Sequence, residues 1–154
     1  MHMNYRFNPR RGKGFTLVEL MAVVLIASIL LSIAVPLYMQ QVRKGRRTDA
    51  KTAVMDLAGR EERMFSTTNA YSADPTQLGY AAVGSGAAFP QTVGSGYYNI
   101  TVVVPTPTTF TITSTAISAD QLKDTSCNSF SVTQTGQQSS LASTGAVTTS
   151  TCWQ

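Results

Sequence analysis

The stretch from Phe15 to Met39 constrains this chain more than any other. From Leu20 to Tyr38 only Ser28, Ser32 and Pro36 interrupt an apolar run, and from Phe15 to Gln41 the only charge is Glu19. As a helix, the 25 residues Phe15–Met39 would extend about 37 Å. That is enough to cross a ~30 Å hydrocarbon core with some tilt. No second apolar run is long enough to do so, which excludes a multi-span membrane protein.

The helical pattern continues past the apolar run. Ala50, Ala53, Val54, Leu57, Ala58, Met64 and Phe65 form one stripe at α-helical spacing. Asp56 and Arg60 make a favourable i,i+4 pair on another face. Gly45 and Gly59 weaken the helix without ending it. The sequence therefore predicts one helix from near Phe15 to near Phe65, apolar all round over residues 15–39 and amphipathic over 40–66. The amphipathic half must lie on something, and only the C-terminal portion is available.

Residues 67–96 carry turn chemistry, with Asp74-Pro75, Gly79, Gly84-Ser85-Gly86 and Gly94-Ser95-Gly96, and read as a connecting region over a sheet edge. Strands follow in residues 97–154. Tyr97 to Val104 is aromatic and β-branched, and Pro105-Thr106-Pro107 reads as a turn. Thr109 to Ala116 places Phe110, Ile112, Ser114 and Ala116 on one face, Ser129 to Gln134 does so with Phe130 and Val132, and Gly136 opens another turn. The expected fold is α+β: a long N-terminal spine helix packed on a small antiparallel sheet of three or four strands.

Charge is unevenly placed. Residues 1–14 hold Arg6, Arg10, Arg11 and Lys13 and no acid, so the rest of the chain is net neutral and the +4 total belongs to that segment. From Thr101 to Gln154 the only charges are Asp120, Lys123 and Asp124. With 13% charged residues overall, neither a highly charged disordered chain nor a uniformly basic nucleic-acid binder fits. The favoured reading of Arg43, Lys44, Arg46 and Arg47 is a solvated face pairing with acids such as Asp49 on neighbouring molecules. Contact with anionic lipid or DNA is the alternative.

Cys127 and Cys152 have 24 residues between them. A metal site needs more ligands than two cysteines supply, and the only histidine is His2. One disulfide closing a C-terminal loop is expected, which places that part of the chain in an oxidising compartment. Two free thiols in a cytosolic protein are the alternative. Positive charge flanks the apolar run equally on both sides, so the disulfide, and not the charge bias, sets the expected orientation. No catalytic set is present. Ser and Thr lack an activating base, Glu61 and Glu62 are adjacent on a helix and face different ways, and Gly84-Ser85-Gly86 lacks the Lys and helix of a phosphate loop. Asn99-Ile100-Thr101 falls in a predicted strand and reads as a chance match to a glycosylation acceptor. The chain is expected to be no enzyme and to need no metal or cofactor.

The junction Gly14-Phe15-Thr16-Leu17-Val18-Glu19 joins the basic leader to the apolar run. An acid near the start of a membrane segment is costly, and a counter-charge would arise if the chain were cut after Gly14, freeing an amine on Phe15. An ordinary signal peptide cut after Ser32-Ile33-Ala34 is the rival reading. It leaves Glu19 unexplained and puts Pro36 just past the cut, and a plain single-span anchor is the other rival. These residues closely resemble the class III leader of type IV pilins and pseudopilins. The spine helix, connecting region, sheet and C-terminal disulfide loop extend the resemblance to a type IVa pilin fold over nearly the whole chain. Tyr71-Ser72-Ala73-Asp74 and Cys152-Trp153-Gln154 are similar to the PilE-type minor pilins.

The resemblance implies a leader of residues 1–14 and a prepilin peptidase that cuts after Gly14 and methylates Phe15. It makes Glu19 the residue that guides docking into a growing filament, and Pro36 the helix-kinking proline of the transmembrane half. It further implies other pilins, an inner-membrane platform protein and a cytoplasmic assembly ATPase as partners. A single pass through the inner membrane would put the C-terminal domain in the periplasm before export into the pilus. The implied role is a minor pilin priming or joining filaments for twitching motility, attachment or DNA uptake. A major pilin, a type II secretion pseudopilin and a DNA-binding receptor pilin are the alternatives.

Overall fold

A computed structural model describes residues 14–80 and 88–154. The leader up to Lys13, with His2, and the Gly84-Ser85-Gly86 turn lie outside the described residues. The chain divides into two units, one ending at Tyr38 and one comprising Met39–Gln154.

Helix α1 spans Leu17–Thr68, three residues beyond the expected end. Its last turn is held by hydroxyls that bond back to the chain: Ser66 Oγ donates to the Arg63 carbonyl, and Thr67 and Thr68 Oγ1 to the Met64 carbonyl. It stops at Asn69, whose φ of 56° is left-handed and whose N–H donates to the Phe65 carbonyl at 2.8 Å. An asparagine tolerates that conformation better than most residues.

In the first unit the apolar residues stay uncovered, with Phe15 82% and Tyr38 69% exposed. The hydroxyls of Ser28 and Ser32 are satisfied inside the helix, donating to the Leu25 and Ile29 carbonyls. These two serines thus present no unpaired hydroxyl to an apolar surrounding. Pro36 sits within the helix. Its missing N–H leaves the Ser32 carbonyl without the usual helical donor.

The second unit holds the core. Five antiparallel strands follow in chain order, each hydrogen-bonded to the next: β1 Gln91–Val93, β2 Tyr98–Thr106, β3 Thr109–Ala116, β4 Ser129–Thr133 and β5 Gln138–Leu141. β3 has the bounds the sequence suggested. The sheet exceeds the expected three or four strands because β1 has three residues and β5 is Gln-Ser-Ser-Leu. β1 is too short to show a pattern, and β5 lacks the aromatic and β-branched residues of a strand. The expected Pro105-Thr106-Pro107 turn is displaced: β2 runs on to Thr106, which pairs with Thr109, so Pro107-Thr108 form the hairpin loop. The register shifts between Val103 and Thr106, and that irregularity accommodates Pro105, which has no N–H for the ladder.

One sheet face is apolar and buried: Tyr98, Ile100 and Val102 of β2, Phe110, Ile112 and Ala116 of β3, and Phe130 and Val132 of β4. These form one core with Ala50, Val54 and Leu57 of α1. The other face carries Thr101, Thr113, Ser131 and Ser139 in one cross-strand row, without charge. At the β1–β2 connection the chain passes close to the helix. A side chain at Gly94 would place its Cβ 3.0 Å from Asp49 Cβ, and Gly94 has φ of 60°.

Cys127 and Cys152 are bonded, both buried, with Cα atoms 5.8 Å apart. In the chain-entropy view, closing a loop of 25 residues contributes about 3.5 kcal/mol. The bond fixes the short helix α2 (Thr149–Cys152) beside β5. There Ser140 N–H donates to Thr149 Oγ1 and Trp153 Nε1 to the Ser139 carbonyl at 2.8 Å. Trp153 also meets Phe130 edge-on, at 5.9 Å between centroids. The C-terminal tail thereby covers an edge that would otherwise offer unpaired backbone groups.

Glu61, an acid one turn past Leu57, is fully buried on the same face of α1 as the apolar stripe. Its Oε2 accepts the Ser72 N–H at 3.0 Å, which ties the segment after α1 back to the helix. Burial first, offset by the Ser72 bond and reinforced by the charge on Glu62, raises its pKa above the ordinary 4.5. The folded state therefore holds a proton that the unfolded chain releases between pH 4.5 and the raised value. Stability falls as pH rises through that window. Glu61→Gln keeps an acceptor for Ser72 and removes the charge. The variant is expected to melt higher than the wild type at pH 7, with the gap closing at pH 4, in thermal unfolding followed by circular dichroism. An equal gap at both pH values would contradict this.

Candidate assembly site and domain clamp

Two places concentrate the side chains with a functional claim, one in each unit. In the first, Gly14 and Phe15 precede α1 and Thr16 stands at its N-cap. The Glu19 N–H donates to Thr16 Oγ1 at 3.2 Å. Thr16 and Glu19 thus occupy the first and fourth positions of a capping-box sequence, and the acid lies in the first helical turn. A negative charge is favoured there by the helix dipole. Thr-x-x-Glu before an apolar run is the usual sequence signal of such a cap. Gly14, Phe15 and Glu19 are brought together by sequence proximity, while Pro36 lies about five turns along the helix.

In the second unit the three arginines of the basic cluster are not a solvated face, while Lys44 stays exposed. Arg43 Nη2 and Arg46 Nη1 donate to the two oxygens of Asp120, at 3.1 and 2.6 Å. Arg47 grips Asp124 through Nε and Nη2 at 2.7 and 2.8 Å. The acids are on the same chain, 74 to 77 positions away, which corrects the expected pairing with neighbouring molecules. Asp120 and Asp124 flank the 3₁₀ turn Gln121–Lys123. Between them Gln121 is fully buried, its Nε2 donating to the Arg43 carbonyl at 3.3 Å. Arg46 also stacks on the Tyr97 ring, 3.8 Å from its centroid.

This clamp has electrical consequences. Arg46 and then Arg43 hold the Asp120 carboxyl below its ordinary 3.8. Its contribution to stability is present above that value and lost as pH falls through the lowered one. Burial, and secondly the Asp124 charge, push the Tyr98 phenol well up, so it stays neutral. Asp120 and Asp124 carried a usable signal in the sequence. They are the only acids in residues 101–154 and have a block of four cations to meet.

The Asp56–Arg60 pair forms as expected, at 2.8 Å. Arg60 also donates to the Leu78 carbonyl. Glu62 points away from Glu61 and accepts the Tyr71 hydroxyl at 2.9 Å. Asn99 of the glycosylation match sits in β2, facing Thr92. Among the described residues no group of three metal-ligating side chains converges.

The comparisons with known proteins follow this division. Residues 9–35 match a family model described as a prokaryotic N-terminal methylation motif. Residues 36–131 match a model described as type IV minor pilin ComP, DNA uptake sequence receptor. The chain is 40% identical over 76 residues to the type IV major pilin protein PilA of Myxococcus xanthus, covering 49% of this chain and 34% of that protein. It is 34% identical over 103 residues to the fimbrial protein EcpC of Eikenella corrodens, covering 67% of this chain and 61% of that one. The aligned stretches thus span less than two thirds of either relative. The methylation-motif match covers most of the bare apolar half of α1, the minor-pilin match takes in all of that helix's amphipathic half, three strands and part of β4, and the chain belongs to the type IV pilin family.

Proposed function

We propose that the chain is a structural subunit of a type IV pilus, a minor pilin that primes or joins the filament. The observation that carries this reading is the methylation-motif match over a helix half whose apolar residues have no cover in the folded chain. Such a surface needs lipid before assembly and other helices afterwards. Residues 1–14 would be the leader and residues 15–39 the membrane span and later the filament core, with Met39–Gln154 on the periplasmic side. A prepilin peptidase would cut after Gly14 and methylate Phe15, and a platform protein and assembly ATPase would drive extrusion. Twitching motility, attachment and DNA uptake are the outputs such a filament serves.

Mature protein is expected to begin at N-methylated Phe15, read by mass spectrometry of the N-terminal peptide. A terminus at Val35 would make the apolar run a removable signal and remove the basis for assembly.

DNA reception is a second reading, favoured by the match of residues 36–131 to the minor-pilin model described as a DNA uptake sequence receptor. The three arginines of the basic cluster are engaged by Asp120 and Asp124, so they do not supply an open phosphate-binding track. Salt-dependent binding of duplex DNA by the full chain would support this reading.

A further inference from the structure

With Arg43, Arg46 and Arg47 tied down, the cations beside the clamp that are left over are Lys44 and Lys123. Both are exposed, and neither pairs with an acid among the described residues. They face each other across a cleft of about 300 Å³ between α1 and the turn after Lys123, together with Arg43, Arg47 and the hydroxyls of Thr125 and Ser126. Four cations line it against one acid, Asp124, which is already bound on both oxygens by Arg47. The far side of the Lys44–Arg47 ridge carries a second cleft that includes Lys51.

We propose that the Lys44–Lys123 cleft holds the phosphate of an anionic phospholipid headgroup. The deduction rests on the membrane-anchored reading above and deepens it. Gln40 lines the cleft and directly follows Met39, the last residue of the apolar run. Lys44 is one helical turn farther, about 6 Å along the axis. The headgroup layer is of that thickness, roughly 5–7 Å on each side of the hydrocarbon. On the facing turn Leu122 is 47% exposed beside Lys123, an apolar residue and a cation in the order an interface accepts. The clamp explains why the site exists in a chain whose part after the leader is net neutral: Asp120 and Asp124 are consumed by arginines and cannot cancel the lysines. A single cleft of this size suits one phosphate group, whereas duplex DNA needs a track of cations.

The test uses the full chain purified in neutral detergent, offered an equimolar mixture of phosphatidylglycerol and phosphatidylcholine, with retained lipid read by native mass spectrometry. The wild type is expected to retain phosphatidylglycerol preferentially. Lys44→Ser and Lys123→Ser should each reduce the preference about fivefold, near the effect of one basic residue at an anionic surface. Arg63→Ser, on a remote part of α1, should leave it unchanged. Free inorganic phosphate at millimolar concentration should not displace the lipid, because it lacks the acyl chains that hold the headgroup beside the helix. No preference in the wild type, or equal preference in both lysine variants, would overturn the proposal. So would a random-sequence duplex that binds and loses affinity in the same two variants while lipid retention does not change. Each of these outcomes leaves the methylated Phe15 terminus, and with it the pilin reading, to stand or fall separately.

Discussion

Glu19→Gln is expected to leave the subunit in the membrane and largely out of filaments. Glutamine keeps the size and the hydrogen bonding of the side chain but removes the charge. If Glu19 meets the Phe15 amine of a subunit, the loss falls on assembly. Close charge pairs at interfaces couple by more than 1.4 kcal/mol, so the ratio of mature subunit in sheared filaments to that in membranes should drop about tenfold or more. Membrane insertion should hold or improve, because an acid has been removed from an apolar run. Leader removal should persist, since Gly14 and Phe15 are untouched. The capping geometry supplies the control. The favourable charge at the start of α1 is worth only about 0.3–1 kcal/mol, and Thr16→Val removes the cap while keeping the acid. A ratio that falls equally in Thr16→Val would assign the effect to helix fraying, and an unchanged ratio in Glu19→Gln would end the assembly role.

Asp124→Ala is expected to destabilise the second unit by about 3–5 kcal/mol, the usual cost of stranding one member of a buried ion pair. The Arg47 side chain is 15% exposed and that of Asp124 6%, so the guanidinium left behind has little water to turn to. Urea unfolding of the full chain in detergent measures the change. The double variant Arg47→Met with Asp124→Leu should recover most of the loss, because a well-packed apolar pair can replace a buried ionic one. If the double variant is as unstable as the single one, packing of the 3₁₀ turn and not the stranded charge is responsible.

The parts of this fold that could be read from the sequence are those fixed by local pattern. Phe110, Ile112, Ser114 and Ala116 alternate cleanly, and β3 runs from Thr109, just before the first of them, to Ala116. Val54 and Leu57 are spaced for one helix face and lie in the core. β5 escaped because Gln138-Ser139-Ser140-Leu141 becomes a strand through its pairing with β4 and its cover by the C-terminal tail. Glu61 escaped because an acid at a stripe position looks like a gap, and only the Ser72 N–H beside it makes its burial tolerable. The clamp joins residues more than seventy positions apart, beyond the reach of any periodicity. The Gly14, Phe15, Glu19 and Pro36 roles rest on motif and chemistry, since they concern what the chain meets and not how it packs.

The buried acid also bears on how the chain is made. Synthesis runs from the N-terminus, so α1 leaves the ribosome before any strand that covers it. The sheet then closes by neighbours, each strand pairing with the one made just before, a local order that favours rapid closure. Until Tyr98–Ala116 arrives, Ala50, Val54 and Leu57 have no cover. During that interval Glu61 stands in water, ionised, and interrupts a stripe that would otherwise invite premature association between nascent helices. The residue that weakens the finished domain at neutral pH is thus a guard for the unfinished one.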